Sequence, residues 1–131
     1  MTRVTLCTAA AFTISLCTLV PANATCLPPT SFYGEYRADD GGTYYVRQIG
    51  NDVWWVGMSS DNGKSWTNVF HGQIKGNRFA GGWLDVPKGG NASKNAGKLT
   101  VTFDTFQRFK KVDSPTGPSA SRWEWVCHDT N

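Results

Sequence analysis

The sequence predicts an all-β domain, an antiparallel meander of about seven or eight strands closed into a barrel, with a two-sheet β-sandwich as the alternative. Three observations point there. Short runs rich in aromatic and β-branched residues recur at close intervals, separated by Gly, Asn and Asp turns. No segment spaces its apolar residues with the 3.6-residue period of a helix. The composition, with six tryptophans, 14 glycines and few long aliphatic side chains, is that of a β-protein.

The elements follow in order. Residues 31–37 (SFYGEYR) open the series. Residues 43–49 (TYYVRQI) and 53–59 (VWWVGMS) pair about the hairpin turn Gly50-Asn51-Asp52. A polar turn carrying Asn62-Gly63 leads into residues 66–74 (WTNVFHGQI). Lys75-Gly76-Asn77 then turns the chain into residues 78–86 (RFAGGWLDV), which end at Pro87. Residues 88–97 (KGGNASKNAG) are a long polar loop. Residues 99–103 (LTVTF) alternate plainly, with Leu99, Val101 and Phe103 on one face. Residues 105–112 continue that strand or form another. Pro115, Gly117 and Pro118 impose a loop on residues 113–121. Residues 122–127 (RWEWVC) close the series, with Trp123 and Trp125 on one face. Tight sequential hairpins favour the meander barrel over the sandwich. Gly57, Gly72, Gly81 and Gly82 interrupt strands, as suits a sharply coiled sheet or a ring lying flat against it.

Residues 1–24 read as a secretory signal peptide. Arg3 precedes a short, mainly apolar run, Pro21 breaks it, and Ala22-Asn23-Ala24 has the small-x-small form of a cleavage site. The run is short for a membrane span. Cys26 follows Asn23-Ala24-Thr25, a poor match to a lipidation box. Residues 25–131 are then one domain, expected to be secreted or periplasmic. Cleavage removes Cys7 and Cys17 and leaves Cys26 and Cys127 at the two extremes of the mature chain. An exported, oxidising setting makes a Cys26–Cys127 disulfide the expected state, and a pair joining first and last strands suits a closed barrel.

The formal charge is +3 for the whole chain and, without Arg3, +2 for the mature one. Acids and bases are interspersed, and no stripe or polybasic run marks a nucleic-acid or membrane partner. No second Cys or close His pair completes a metal-ligand set, and no cofactor motif is present. His71 and His128 are the only bases suited to neutral pH. Neither sits in a recognisable catalytic pattern, Gly-x-Ser-x-Gly is missing, and the carboxylates are scattered. The expected protein is therefore not an enzyme.

The tryptophans carry the binding expectation. Strand alternation sends adjacent Trp54 and Trp55 to opposite faces, so one of them lies outside the core or at its rim. Trp66 and Trp83 are the natural companions, with Arg47 and Asn68 among the polar groups that orient a flat ligand or a sugar. Tryptophans that simply fill a core poor in leucine are the plain alternative. The candidate ligand-binding residues are thus Trp54, Trp55, Trp66, Trp83, Arg47 and Asn68. The ligand class is a small, partly apolar molecule or a glycan. A protein-interaction module or enzyme inhibitor acting through loops 88–97 and 113–121 is the second reading.

The stretch GGTYYVRQIGNDVWWVG and, further on, NVFHGQIKGNRFAGGWLDVPKG resemble a group of small exported bacterial β-proteins of unassigned function. The shared pattern, Arg-Gln-Ile-Gly-Asn-x-Val-Trp-Trp to Gly-x-Trp-x-Asp-Val-Pro-Lys-Gly, covers residues 41–89. It implies an exported β-domain and no particular activity. A looser resemblance is to the calycin barrels of the avidin and lipocalin type. These open with Gly-x-Trp and pack that Trp on an Arg near the last strand. Here Gly34-Glu35-Tyr36 has Tyr in the Trp position, and Arg122 is the corresponding Arg.

Overall fold

The computed structural model describes residues 26–90, 93–112 and 116–128. The expected signal peptide at 1–24 lies outside the described residues. Among the described residues eight strands run in chain order: β1 (Tyr33–Ala38), β2 (Thr43–Ile49), β3 (Asp52–Met58), β4 (Thr67–Lys75), β5 (Arg78–Asp85), β6 (Ala96–Thr105), β7 (Arg108–Lys111) and β8 (Arg122–Trp125). Each pairs antiparallel with the next, and β8 returns to β1, so the sheet is a closed barrel with no sandwich break. The separate strand at 108–111 resolves the choice left open for residues 105–112. β6 ends at a register shift between Phe103 and Thr105, and Phe106-Gln107 makes the turn.

Alternation places the side chains. Tyr36, Tyr44, Val46, Val53, Trp55, Phe70, Phe79, Trp83, Leu99, Val101, Phe109 and Trp123 point inward and are buried. Their rings fill the barrel rather than line a hollow. Trp55 stacks on Phe70 at 4.3 Å, and Phe109 stacks on Trp123 at 4.9 Å. Burial drives the Tyr36 and Tyr44 hydroxyls well above the usual tyrosine range, so both stay protonated and donate hydrogen bonds. Tyr36 Oη donates to the Phe106 carbonyl; Tyr44 Oη donates to Asp40 Oδ2 at 3.2 Å.

An up-and-down barrel sends alternate connections to opposite ends. At one end are the two-residue turns 50–51, 76–77 and 106–107, together with the start of β1 and the end of β8. Phe32, fully buried just before β1, plugs this end against Phe79, Phe103, Phe106 and Phe109. The Cys26–Cys127 disulfide ties the chain ends there, with Cα atoms 5.9 Å apart. At the other end are the longer connections 39–42, 59–66, 86–95 and 112–121.

The outer face is uneven. One cross-strand row carries Tyr45, Val56, Val69 and Leu84; the next carries Arg47, Trp54, His71, Gly82 and Lys98. Arg122 also faces outward, 3.8 Å from Asp39, whereas Tyr36 is wholly interior, so these two lie on opposite faces of the sheet.

Candidate functional site

The long-loop end holds a cleft of about 430 Å³. Its floor and walls are set by alternation. Trp83 and Asp85 share the inward face of β5, and Asn68 lies inward near the start of β4, where the barrel opens. Trp66 leans in from the 59–66 loop, its ring tilted on Tyr44 at 5.9 Å, so a core side chain backs it. Three residues picked from sequence, Trp66, Trp83 and Asn68, therefore meet in one cleft.

Asn68 couples cleft to core. It is 3% exposed, and its Oδ1 accepts from Trp55 Nε1 at 2.9 Å. Trp55 itself is 2% exposed and belongs to the core, beneath the cleft rather than in it. Trp54 and Arg47 are elsewhere, paired across β2 and β3 on the outer face. Trp54 is half exposed, and one face of its ring is stacked on His71 at 3.8 Å. His71 Nε2 lies 2.8 Å from Asp52 Oδ1 on that outer surface.

The remaining wall comes from loop residues 116–121. Trp83 Nε1 donates to the Thr116 carbonyl at 2.9 Å. Gly97 makes that approach possible, since a Cβ there would stand 2.6 Å from the same carbonyl oxygen. Two adjacent aspartates in the β1–β2 turn hold the rest of the loop. Asp40 Oδ2 accepts from Ser119 Oγ at 2.7 Å. Asp39 accepts from the Ser121 hydroxyl and from the Ser121 and Arg122 amides. Partial burial, the largest single influence, works to raise the Asp39 pKa; those three donors and its own backbone amide together overcome it and hold the carboxyl at about 2.

Asp85, Ser93 and Asn95 complete the cleft, and sequence reasoning did not single them out. Asp85 Oδ2 accepts from Ser93 Oγ and, at 2.9 Å, from the Asn95 amide, which holds Ser93 and Asn95 at the cleft. The signal for Asp85 was present: it stands two residues past Trp83 and so shares its face. Nothing in the chain order marks Thr116 or Ser93. Among the described lining residues Asp85 is the one ionisable group, and the rest are aromatic rings, amides, hydroxyls and the small or apolar Ala96, Gly117 and Pro118. Such a set binds by stacking and hydrogen bonding. Among the described residues no group of three His, Cys, Asp or Glu is placed to hold a metal ion. No helix of the described chain is long and apolar enough to cross a membrane.

Comparison with protein-family models, with curated proteins and with solved structures finds no match to this chain.

Proposed function

We propose that this is an exported, non-catalytic binding barrel that seats a small ligand with an apolar face and a hydroxylated edge, a sugar ring being the type, at its long-loop end. The observation that carries the reading is the meeting of Trp66 and Trp83 with Asn68, Asp85 and Asn95 in one cleft. Apolar ring faces take up the C–H face of a sugar, while amides and a carboxylate match its hydroxyls. The barrel interior offers no competing site, because its own rings occupy it. The clamped 116–121 loop reduces the ordering cost of binding. Export accounts for both the leader-like residues 1–24 and the disulfide.

The test is native mass spectrometry of the protein recovered from its exporting cell, alongside Trp66→Ala. The expected result is a mature chain with extra mass that leaves on denaturation, and loss of that mass in the variant while circular dichroism stays unchanged. A variant that keeps the bound mass overturns the cleft as the site.

A second reading draws on the same geometry. Loop 116–121 is anchored to the barrel end by hydrogen bonds and leaves Thr116 and Ser119 exposed, as a surface for a protein partner requires. It predicts a binding partner protein that Ser119→Tyr displaces, with no small molecule retained by the wild type.

A further inference from the structure

The outer wall of the barrel has two unlike sides. On β7 and β8 the outward positions are charged, with Arg108 level with Glu124 and Lys110 level with Arg122. Leu27 apart, every exposed large apolar side chain among the described residues lies on β1 to β5 or at Val86 just after them. Tyr45, Val56 and Leu84 stand in one cross-strand row, each about half exposed, with Val69 between the last two. Tyr33, Ile49 and Trp54 are exposed beside that row, and β3 is the middle strand of the face. An exposed apolar patch of this breadth marks an interaction surface. Two charged residues stand within it. Arg47, level with Trp54, is exposed, and its guanidinium makes no hydrogen bond or ion pair among the described residues. Asp52, two residues before Trp54, engages His71 through Oδ1 at 2.8 Å and keeps its side chain 40% exposed. We propose that this face binds a second copy of the chain, wall to wall, across a two-fold axis running along β3.

Charge complementarity selects a copy of the same chain. A two-fold interface sets one patch against itself, so each charged group must find its complement within that patch. An axis along β3 lays β2 over the partner's β4 and sets every cross-strand row against its own counterpart. Arg47 then faces the partner's His71, beside which the carboxylate of the partner's Asp52 is already held. Face-packed sheets stand about 10 Å apart, within the joint reach of an Arg and an Asp side chain. Symmetry makes this pair twice. In the same register Trp54 and Val56 meet the partner's Trp54 and the partner's Val56 at the axis, and Tyr45 meets the partner's Val69. The wall is convex, so contact is closest over β2, β3 and β4, the strands that carry these residues. Glu35, at the β1 end of the row, lies on the receding flank and is held by Arg37 and His128. The two Asp52 carboxylates approach each other near the axis, and the two arginines offset that repulsion. A membrane answers the apolar row alone; the Asp52 carboxylate, driven into it, meets no counter-charge. The cleft opens at the barrel end and shares no lining residue with this face, so the proposal stands independently of what the cleft binds.

The test is sedimentation equilibrium of the disulfide-bonded protein over roughly 1 μM to 1 mM, at about 0.15 M salt so that long-range attraction is screened. A monomer–dimer equilibrium is expected. Val56→Lys is expected to raise the dissociation constant about tenfold or more, while Thr102→Lys, the same charge change on the far side of the barrel, leaves it within about twofold. Arg47→Asp and Asp52→Arg each set like charges face to face, and each is expected to weaken self-association by about tenfold or more, with unchanged circular dichroism. Mixed in equal amounts, these two variants are expected to regain a dimer of wild-type strength, because each arginine then meets a carboxylate across the axis. Mixing repairs a contact between copies and leaves a folding defect within either copy unrepaired. A wild type that stays monomeric throughout, equal losses in Val56→Lys and Thr102→Lys, or folded charge variants whose mixture stays monomeric overturns the proposal.

Discussion

At the scale of single residues, Asn68 and Asp39 matter more than their size suggests. Asn68 satisfies the buried indole of Trp55 and borders the cleft with the same side chain. Asn68→Ala leaves that Nε1 without its acceptor, an unsatisfied buried donor that costs about 1–3 kcal/mol. The expected outcome is a lower Tm together with lost cleft binding, whereas Trp66→Ala loses binding alone; thermal melts by circular dichroism separate the two. Asp39 gives a pH dependence. Its folded pKa of about 2 lies below that of a free aspartate, so its contribution is present above about pH 4 and fades as pH falls toward 2. Asp61 works in the same window, because hydrogen bonds from Ser59 and Ser65 hold its carboxyl well below the usual range. Asp39→Asn should therefore lower stability at neutral pH and flatten, without abolishing, the loss between pH 4 and pH 2. Urea titrations at several pH values read this directly. An unchanged pH slope in the variant contradicts the assignment.

At the scale of elements, the two joins that β8 makes, with β7 and with β1, are the shortest in the barrel, and the seam with β1 closes it. Three residue pairs make it, from Tyr36–Trp125 to Ala38–Trp123, with the Val126 amide donating to the Glu35 carbonyl just beyond. Glu35 reinforces it through His128 at 3.0 Å. The disulfide lies at the same edge and closes a separation of 101 residues, for which the chain-entropy model gives about 4–5 kcal/mol. Reduction is expected to lower Tm substantially. Hydrogen exchange should report the amides of β8 and Val126 losing protection before those of β3 to β5. These elements also mark how far the sequence can be read. Alternation and turn residues locate the strands to within a few positions except β7, which they leave open as a continuation of β6, and the cysteine count foretells the pair at the seam. Alternation also requires adjacent Trp54 and Trp55 to part. It does not say which one is interior, because that depends on register with β4, where Phe70 meets Trp55 and His71 meets Trp54. Of the six residues expected to bind, three meet because Asn68 and Trp83 sit where β4 and β5 open and Trp66 leans in from the loop at that same end. The Thr116 wall was beyond reading, since a backbone carbonyl from a distant loop carries no side-chain signature.

At the scale of the whole molecule, the barrel divides labour between its ends. The tight-turn end is plugged by Phe32 and tied by the disulfide; the long-loop end carries the cleft. Gly97→Ala tests the division. The added methyl strikes the Thr116 carbonyl, so loop 116–121 should lift and cleft binding should weaken while the β-sheet signal of the barrel persists. A collapse of the entire fold instead would mean that the added methyl also unseats Ala120, the loop residue buried in the core. The 5.9 Å between the Cα atoms of Cys26 and Cys127 has a consequence of its own. The folded domain is topologically almost a ring, whose point of opening is arbitrary as far as its sheet is concerned. A short peptide bond-for-disulfide exchange at that gap, with new ends cut at the exposed Gly76-Asn77 turn, gives a circular permutant. Its ends again emerge opposite the cleft, so the domain can be tethered or fused from either arrangement without obstructing what it holds.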